Sequence, residues 1–403
     1  MRRVFLIVLD SLGVGAMPDA AEFGDEGAHT LDHLVEAGGG LDAPRLVELG
    51  LGNVPGVTAV PSVATPAASV GRLTERSVGK DTSTGHWEMG GIILSEAFPV
   101  FPDGFPQDFI DEFVARAELP GVLCNLPASG TEVIKRLGQE HLDSGMPIVY
   151  TSADSVFQIA AHQEHFGLER LYHICEIARE LLKPKGVGRI IARPFIGEVG
   201  SFTRTYDRRD YSLEPPMDTS LDRLVKAGVP VVGVGKISDI FAGRGVSRDV
   251  HTEGNRDGMA ATLREARSLE HGLVFVNLVD FDMLYGHRRD PVGYARALEE
   301  FDRDLIELEK ELRDEDIVIL TADHGNDPTH VQNTDHTREY VPVIAFGPGA
   351  VRTAELGTRA SFADIGATVE ELLGLDASLC SAGASFAKDL GARELDHEGT
   401  ARP

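Results

Sequence analysis

Cysteine is scarce in this sequence. The 403 residues contain three cysteines, Cys124, Cys175 and Cys380, which lie far apart and form no Cys-x-x-Cys pair. An odd number of separated cysteines argues against a disulfide framework. It is typical of a protein from a reducing compartment, so we expect a cytoplasmic location.

Positive charge is also low. Lysine and arginine number 38 against 64 aspartates and glutamates, which gives a formal net charge of -26. Such a surface repels nucleic acid and anionic membranes, so neither is expected as a partner. An anionic substrate would need a local site built from metal ions or from arginine and lysine. Solubility is the main explanation of the acidity.

Long apolar runs are absent as well. No uninterrupted apolar stretch is long enough to cross a bilayer. The N-terminal run from Val4 to Leu9 is too short for a signal peptide, and Asp10 interrupts it. We interpret it as a first β-strand. The length of the chain favours two domains rather than one.

Five short apolar runs alternate with helix-like patterns and predict the fold class. The runs span residues 4–9, 230–235, 273–279, 317–322 and 341–346, and the clearest helical patterns span 291–312 and 364–373. Continuous apolar strands that alternate with helices indicate a parallel or mixed sheet covered on both faces. We therefore expect an α/β fold with a mostly parallel central sheet flanked by helices.

The middle of the chain has a different composition. It begins with proline, glycine and phenylalanine at 98–106 and contains its own strand-like segments at 147–151 and 189–193. Proline- and glycine-rich stretches often mark domain boundaries. We expect a core domain formed by 1–96 and 216–403, with a smaller α+β domain inserted at 97–215.

Acidic residues and histidines follow three of the predicted strands. The set is Asp10, Asp282, His287, Asp323, His324 and His336. Taken singly, each aspartate is better explained as a helix cap or loop carboxylate, and each histidine as a hydrogen-bonded residue. Together, at the strand ends where α/β proteins bind ligands, they favour two divalent ions. Mixed oxygen and nitrogen ligands suit Mn²⁺ or Zn²⁺ better than Ca²⁺. Two such ions can clamp a phosphoryl group.

A glycine-flanked segment offers a nucleophile. Residues 79–90 read Gly79-Lys-Asp-Thr-Ser-Thr-Gly-His-Trp-Glu-Met-Gly. A hydroxyl on such a turn can approach metal ions and become a nucleophile. The alternative is a threonine or serine turn that caps a helix.

Several segments together resemble bacterial phosphopentomutases of the alkaline phosphatase superfamily, and the resemblance runs from Val8-Leu-Asp-Ser to Phe362-Ala-Asp-Ile-Gly-Ala-Thr. They are Lys80-Asp-Thr-Ser-Thr-Gly-His-Trp-Glu, Tyr150-Thr-Ser-Ala-Asp-Ser, Asn277-Leu-Val-Asp-Phe-Asp, Gly286-His-Arg-Arg-Asp-Pro, Thr321-Ala-Asp-His-Gly-Asn-Asp-Pro and Thr334-Asp-His-Thr-Arg-Glu-Tyr-Val-Pro. The resemblance implies an alkaline-phosphatase-like, metal-bearing core and an inserted cap domain.

The resemblance also implies residue roles. Thr82 would carry the phosphoryl group. One Mn²⁺ would be bound by Asp10, Asp323, His324 and the Thr82 oxygen, and a second by Asp282, His287 and His336. The loop before His336 is one residue longer than the family pattern, around His330, which leaves the role of His330 open.

The implied activity is interconversion of ribose 1-phosphate and ribose 5-phosphate, with the deoxyribose analogues also accepted. A sugar bisphosphate such as glucose 1,6-bisphosphate would phosphorylate Thr82 first. Ser152 and Asp154 resemble the family's sugar-contacting pair. Arg193, Arg204 and Lys236 are candidates for binding phosphate. Solvated surface charge is the alternative for each of these three.

Three other functions compete. A phosphatase, phosphodiesterase or sulfatase of the same superfamily would use the same metals but admit water. A cofactor-independent phosphoglycerate mutase normally has a serine nucleophile and a longer chain. A non-catalytic, metal-stabilised binding protein would not acquire a phosphorylated threonine.

Overall fold

A computed structural model describes residues 1–152, 155–331, 335–380 and 382–392. The chain forms two compact units. The core unit is Met1–Glu96 with Pro215–Pro403, and the inserted unit is Ala97–Glu214. The division differs from the predicted domain ranges at Pro215, which lies in the core unit. The roles of the units as catalytic core and cap stay predictions.

The strands and helices are as follows. The strands are β1 Arg3–Leu9, β2 Ser69–Leu73, β3 Leu123–Pro127, β4 Ile148–Thr151, β5 Val156–His162, β6 Arg189–Ile196, β7 Thr203–Arg204, β8 Arg209–Ser212, β9 Val231–Val234, β10 Arg248–Val250, β11 Gly272–Leu278, β12 Ile317–Thr321, β13 Val341–Phe346 and β14 Glu355–Arg359. The α-helices are α1 Thr30–Gly38, α2 Pro44–Leu49, α3 Thr82–Met89, α4 Gln107–Arg116, α5 Gly130–Ser144, α6 Leu168–Leu182, α7 Ser220–Lys226, α8 Ile237–Ile240, α9 Asn255–Ser268, α10 Pro291–Glu309 and α11 Ala363–Leu372.

The core unit is built on one eight-stranded sheet in the order β10-β9-β11-β1-β12-β13-β2-β14. The pairs from β10 through to β12 are parallel, and β13 is antiparallel to both of its neighbours. The five predicted apolar runs are confirmed as β1, β9, β11, β12 and β13, and the two helical patterns as α10 and α11. The α/β class with a mostly parallel central sheet is therefore confirmed.

Strand β1 is the fourth of the eight strands in this order, and all seven of its residues are buried. Its parallel neighbours are β11 and β12, in a register that pairs Leu9 with Leu278 and Val8 with Thr321. Carboxyl ends of parallel neighbours meet at the same edge of a sheet. The residues that follow these three strands are therefore brought together.

Helix α10 shows how local sequence sets an element that supports this edge. Pro291 occupies the first turn, and the Asp290 side chain accepts a hydrogen bond from the backbone N–H of Gly293. An aspartate cap followed by proline favours helix initiation. One face of the helix is buried, and it carries Tyr294 at the level of the strand ends.

The inserted unit has its own six-stranded mixed sheet, with β3-β4-β5-β6-β7 in order and β8 also paired with β6. Helices α4 and α6 pack with this sheet around a phenylalanine cluster that includes Phe105, Phe109, Phe113 and Phe157. The ring of Phe157 meets those of Phe109 and Phe113 edge to face, at centroid distances of 5.2 and 5.5 Å. This unit therefore has a hydrophobic core of its own.

Across the described ranges, no helix has the combined length and apolar character that a membrane crossing requires.

Candidate active site

The three predicted aspartates lie together at the carboxyl edge of the core sheet. Asp10 directly follows β1, Asp323 follows β12, and Asp282 lies in a short helical turn, Phe281–Gly286, after β11. All three side chains are buried. The order of the strands explains the gathering, since β1 lies between β11 and β12.

One group of side chains matches the set predicted for the second ion. The ligand atoms of Asp282, His287 and His336 lie within 4.8 Å of one another. His287 Nε2 is 3.2 Å from one Asp282 oxygen, and His336 Nε2 is 3.7 Å from the other. A carboxylate with two imidazoles is a ligand set that suits a transition metal.

The other group differs slightly from the predicted set. Ligand atoms of Asp10, Asp282 and His324 lie within 4.8 Å of one another. Asp323, predicted here in place of Asp282, has its Oδ2 3.3 Å from His324 Nε2, so it adjoins the same group. Asp282 therefore belongs geometrically to both groups.

The charges of this cluster fit divalent cations. Burial raises the pKa of Asp10 to about 7, and the charges of Asp323 and Asp282 add to that effect. Burial also opposes ionisation of Asp282 and Asp323, but neighbouring imidazoles outweigh it and hold both pKa values below the ordinary range. Added positive charge at this edge would favour ionisation of Asp10, the one of the three carboxylates whose pKa is raised. Within the described ranges, Asp10 Oδ1 has no hydrogen-bond partner.

His324 is oriented as a metal ligand would be. Its Nδ1 donates to the Gly325 carbonyl at 3.1 Å, so Nε2 is left to face Asp10 and Asp323 at 3.5 and 3.3 Å. Burial opposes a charge on this ring, but the charges of Asp323 and Asp10 raise its pKa. A hydrogen bond at one ring nitrogen fixes the tautomer that offers the other nitrogen.

Thr82 occupies the first position of α3, and its Oγ1 is 3.2 Å from His324 Nε2. The helix is capped by Asp81, whose carboxylate accepts from the backbone N–H of Ser83 and Thr84 and from the Thr84 hydroxyl. The cap is therefore not the Thr82 hydroxyl. Thr82 is half-buried, and its hydroxyl lies beside His324 in the cluster of carboxylates and imidazoles.

Helix α3 lies directly against the end of β12. A methyl group on Gly85 would come 2.0 Å from the Asp323 carbonyl oxygen. One helical turn after Thr82, His86 has its Nδ1 2.9 Å from the Thr82 carbonyl oxygen and 3.2 Å from Asp323 Oδ2. The close approach brings Thr82 and Asp323 into the same site.

Several supporting residues were missed by the sequence analysis. Asn277 Nδ2 donates to Asp10 at 2.8 Å, and Asn326 Nδ2 donates to Asp282 at 2.7 Å. The Tyr294 hydroxyl lies 3.1 Å from the Asp10 carbonyl, and the Ser11 backbone N–H donates to Asp323. Both asparagines lie in the segments that resemble the family, so their positions could have identified them from the sequence. Tyr294 lies outside these motifs, in the helical pattern at 291–312.

The predicted phosphate-binding residues belong to both units. Lys236 precedes α8 in the core unit, and its charge acts on Asp10 to lower the pKa of that carboxyl. In the inserted unit, Arg193 donates to Gln158 at 2.8 Å, and burial lowers its pKa to about 10. Arg204 is exposed and donates to Thr131.

The predicted sugar-contacting pair is described only in part. Ser152 directly follows β4 and is half-buried, whereas Asp154 lies outside the described residues. His330, in the loop before His336, has Nε2 3.1 Å from the Gly24 carbonyl oxygen and 3.9 Å from the Asp25 carboxylate. It therefore contacts the loop at Gly24 and Asp25, and it is not part of either ligand group.

Comparisons with known proteins identify the family. A metalloenzyme superfamily model matches residues 2–377. A phosphopentomutase of Symbiobacterium thermophilum is 57% identical over 377 residues, covering 93% of this chain and 95% of its own. One from an Anaeromyxobacter species is 55% identical over 390 residues, covering 97% and 99%. The chain belongs to the phosphopentomutase family.

Phosphopentomutase relatives of this identity and coverage favour the family over the competing hydrolase, phosphoglycerate mutase and binding-protein interpretations. The superfamily match and the two ligand groups make the chain a metalloenzyme with sites suited to divalent ions. The phosphopentomutase assignment also covers both units, since the matched range includes the inserted one.

Proposed function

We propose that this chain interconverts ribose 1-phosphate and ribose 5-phosphate, and the 2-deoxyribose analogues, through a phosphorylated Thr82. The observation that carries the proposal is the position of the Thr82 hydroxyl, 3.2 Å from His324 Nε2 beside buried carboxylates. Family membership supports the substrate class, since the relatives are named phosphopentomutases.

Two Mn²⁺ ions are proposed as the resident metals. Asp10, Asp323, His324 and the Thr82 oxygen would bind the first, and Asp282, His287 and His336 the second. Bound there, the ions would neutralise phosphoryl charge and favour the ionised Thr82 hydroxyl. The orphaned Asp10 oxygen supports the first site, and the shared position of Asp282 would let this carboxylate contribute to both sites.

Thr82 would act as an acceptor and donor of one phosphoryl group. A sugar bisphosphate such as glucose 1,6-bisphosphate first phosphorylates its Oγ1. The substrate's free hydroxyl then attacks that phosphorus, the bond to Oγ1 breaks, and the hydroxyl proton passes in net to the released Oγ1. The product is a pentose 1,5-bisphosphate, whose other phosphoryl group returns to Oγ1. Such transfers depend on in-line positioning and charge neutralisation.

The remaining predicted residues would orient the substrate. Ser152 and Asp154 would contact the sugar, Arg193 and Arg204 would act as phosphate clamps, and Lys236 would hold the distal phosphate. The inserted unit would act as a cap that keeps water from the phosphothreonine. The three free cysteines support a cytoplasmic location.

A three-variant comparison tests the proposal. The parent, Thr82→Ala and the neighbouring control Ser83→Ala are incubated with ribose 5-phosphate, Mn²⁺ and glucose 1,6-bisphosphate. We expect ribose 1-phosphate from the parent and from Ser83→Ala, and none from Thr82→Ala. Mass measurement of the Thr82 peptide should show added phosphate in the two active proteins alone.

Other results would contradict the proposal. Turnover by Thr82→Ala would exclude the phosphothreonine route. Release of free phosphate without ribose 1-phosphate would indicate a hydrolase. Absence of both products, with no labelled threonine, would indicate a non-catalytic protein.

A further inference from the structure

Arg338 is a buried cation two residues after His336, and it has no role in the proposed reaction. Its side chain is only 3% exposed to solvent. Every N–H group of its guanidinium has an acceptor. Nε and Nη2 donate to Asp19 at 3.2 and 3.0 Å, and Nη1 donates to the Glu75 carboxylate at 2.7 Å.

The remaining acceptors are backbone carbonyls of a single segment. Nη1 also donates to the carbonyls of Ser77 and Gly79 at 2.9 and 2.5 Å, and Nη2 donates to the Glu75 carbonyl at 3.1 Å. This segment leads directly into Asp81 and Thr82 at the start of α3. The guanidinium therefore fixes three alternate carbonyls on the path to the proposed nucleophile.

The backbone of Arg338 is fixed as firmly as its side chain. Its N–H donates to Asp25 at 2.9 Å, and its carbonyl accepts from Met17 at 3.1 Å. The same Asp25 oxygen accepts from Lys80 Nζ at 2.9 Å, which gives a second tie to the nucleophile segment. The loop that carries His336 and the segment that carries Thr82 are thus joined through one residue.

We propose that Arg338 is a positioning residue, which holds the Thr82 segment at its working distance from the His336 loop. The inference rests on the proposed role of Thr82. Arg338 touches none of the reacting atoms, so its effect passes through backbone geometry. Phosphoryl transfer is sensitive to such geometry because it requires an in-line approach.

Arginine is required here by the shape of the acceptor set. A guanidinium presents five N–H donors in a planar fork, whereas a lysine ammonium presents three from one point. Lysine at 338 would keep the charge for Asp19 and Glu75 but could not reach all three carbonyls. Buried carbonyls left without donors would turn toward other partners and move the segment.

The test compares Arg338→Lys and Asp19→Asn with a matched control, Arg3→Lys. Asp19 is a hydrogen-bond partner of Arg338 and is partly exposed. We therefore expect Asp19→Asn to weaken the hold on the guanidinium while leaving the fold intact. Arg3 is equally buried and bonds Asp316 and the carbonyls of Leu269 and Glu311, at the opposite end of β1. It reports the cost of disturbing a buried arginine remote from the site.

Each folded protein is assayed for Thr82 phosphorylation by glucose 1,6-bisphosphate, for kcat and KM, and for Tm. We expect Arg338→Lys to slow phosphorylation and kcat together, on the order of 100-fold, with KM unchanged. Asp19→Asn should show a smaller loss of the same kind. Arg3→Lys should lower Tm while phosphorylation and kcat stay at the parent values.

The outcomes separate this inference from the proposed function. If the parent neither phosphorylates Thr82 nor forms ribose 1-phosphate, the proposed function fails. A different result would overturn the inference alone. If the parent is active, and both Arg338→Lys and Asp19→Asn become phosphorylated on Thr82 as fast as the parent, Arg338 has no positioning role. An equal loss in Arg3→Lys would also overturn it. If Arg338→Lys does not fold, Asp19→Asn decides the question.

Discussion

Asp282 is the residue on which both ligand groups converge. Its carboxylate lies within 4.8 Å of the ligand atoms of His287 and His336, and of those of Asp10 and His324. We therefore expect Asp282→Asn to lose more metal than His287→Gln, which should retain the first ion. Metal content after gel filtration in Mn²⁺-free buffer measures this difference.

The matched control for metal content is His330→Gln. His330 contacts the Gly24 carbonyl and lies outside both ligand groups, so this variant should bind as much Mn²⁺ as the parent. Equal metal content in Asp282→Asn and His287→Gln would show that Asp282 serves one ion alone.

At Gly85, we expect the addition of a single methyl group to impair catalysis. A helical Gly→Ala change usually stabilises by about 0.5–1 kcal/mol. Here the added methyl group would lie 2.0 Å from the Asp323 carbonyl, so α3 must move away from β12. We expect Gly85→Ala to lower kcat on the order of 100-fold or more, since Thr82 moves with the helix.

Gly38→Ala is the control for Gly85, because its methyl group would meet Ala295 Cβ at 3.3 Å in another helix. Its activity should match the parent. Steady-state kinetics and Tm of both variants provide the measurement. An active Gly85→Ala enzyme would mean that α3 tolerates displacement from Asp323.

Residues within the motifs could be predicted from the sequence, and their partners could not. Asp10, Asp282 and Asp323 follow apolar runs, so the pattern alone places them at strand ends. Arg338 bonds carbonyls about 260 positions earlier, and Tyr294 reaches Asp10 from a helix 284 positions later. Such pairings depend on the order of strands in the sheet, which the local pattern does not contain.

At the scale of elements, α3 depends on its cap. Asp81 accepts from the N–H groups of Ser83 and Thr84, which no earlier turn of helix can satisfy. Asp81→Ala should cost about 1 kcal/mol of unfolding free energy and lower kcat, while Asp81→Asn should keep most of both. Urea denaturation followed through Trp87, which lies in α3, measures the stability. Equal stability of the alanine and asparagine variants would contradict the capping role.

Helix α5 of the inserted unit should be sensitive to acid. Burial lowers the pKa of His141 below 6.5, although its bond to the Met146 carbonyl opposes the shift. Its Nε2 accepts from the His162 backbone N–H at 2.8 Å, which protonation would abolish. Below pH 6.5 the unfolded chain takes up a proton that folded His141 resists, so the inserted unit should lose stability as pH falls toward the folded pKa.

His141→Gln should flatten this dependence, and His173→Gln, at an exposed histidine, should leave it unchanged. The measurement is hydrogen exchange of α5 and β5 amides, corrected for intrinsic rates, at pH 7.5 and about 5.5. An identical pH slope in His141→Gln and the parent would assign the acid sensitivity to another group.

Element prediction from the sequence worked best where burial was complete. Strands β1, β11 and β12 are buried on both faces and are therefore apolar over most of their length. Strand β2 contains Ser69, Gly71 and Arg72, so no apolar run marks it. The antiparallel direction of β13 could not be predicted from the apolar pattern either, because strand direction depends on the connections between strands and not on composition.

At the scale of the whole molecule, the acidic balance and the metal sites are linked. A chain of net charge -26 buries three carboxylates at one sheet edge, and without added cations they oppose one another. Divalent ions bound there would relieve that repulsion in the folded state alone. Metal binding is therefore expected to contribute to folding stability as well as to catalysis.

Chelation should consequently destabilise the core unit. An ion present at about 100 times its Kd adds about 2.7 kcal/mol to the folded state. We expect EDTA to lower Tm by roughly 5–10 °C, and Mn²⁺ to restore it. Ca²⁺ should restore less, because three of the proposed ligands are imidazoles and Ca²⁺ prefers oxygen. Differential scanning calorimetry with each ion gives the comparison, and Asp282→Asn should show a reduced response to Mn²⁺. Equal recovery with Ca²⁺ would mean that His287, His324 and His336 do not bind the metal.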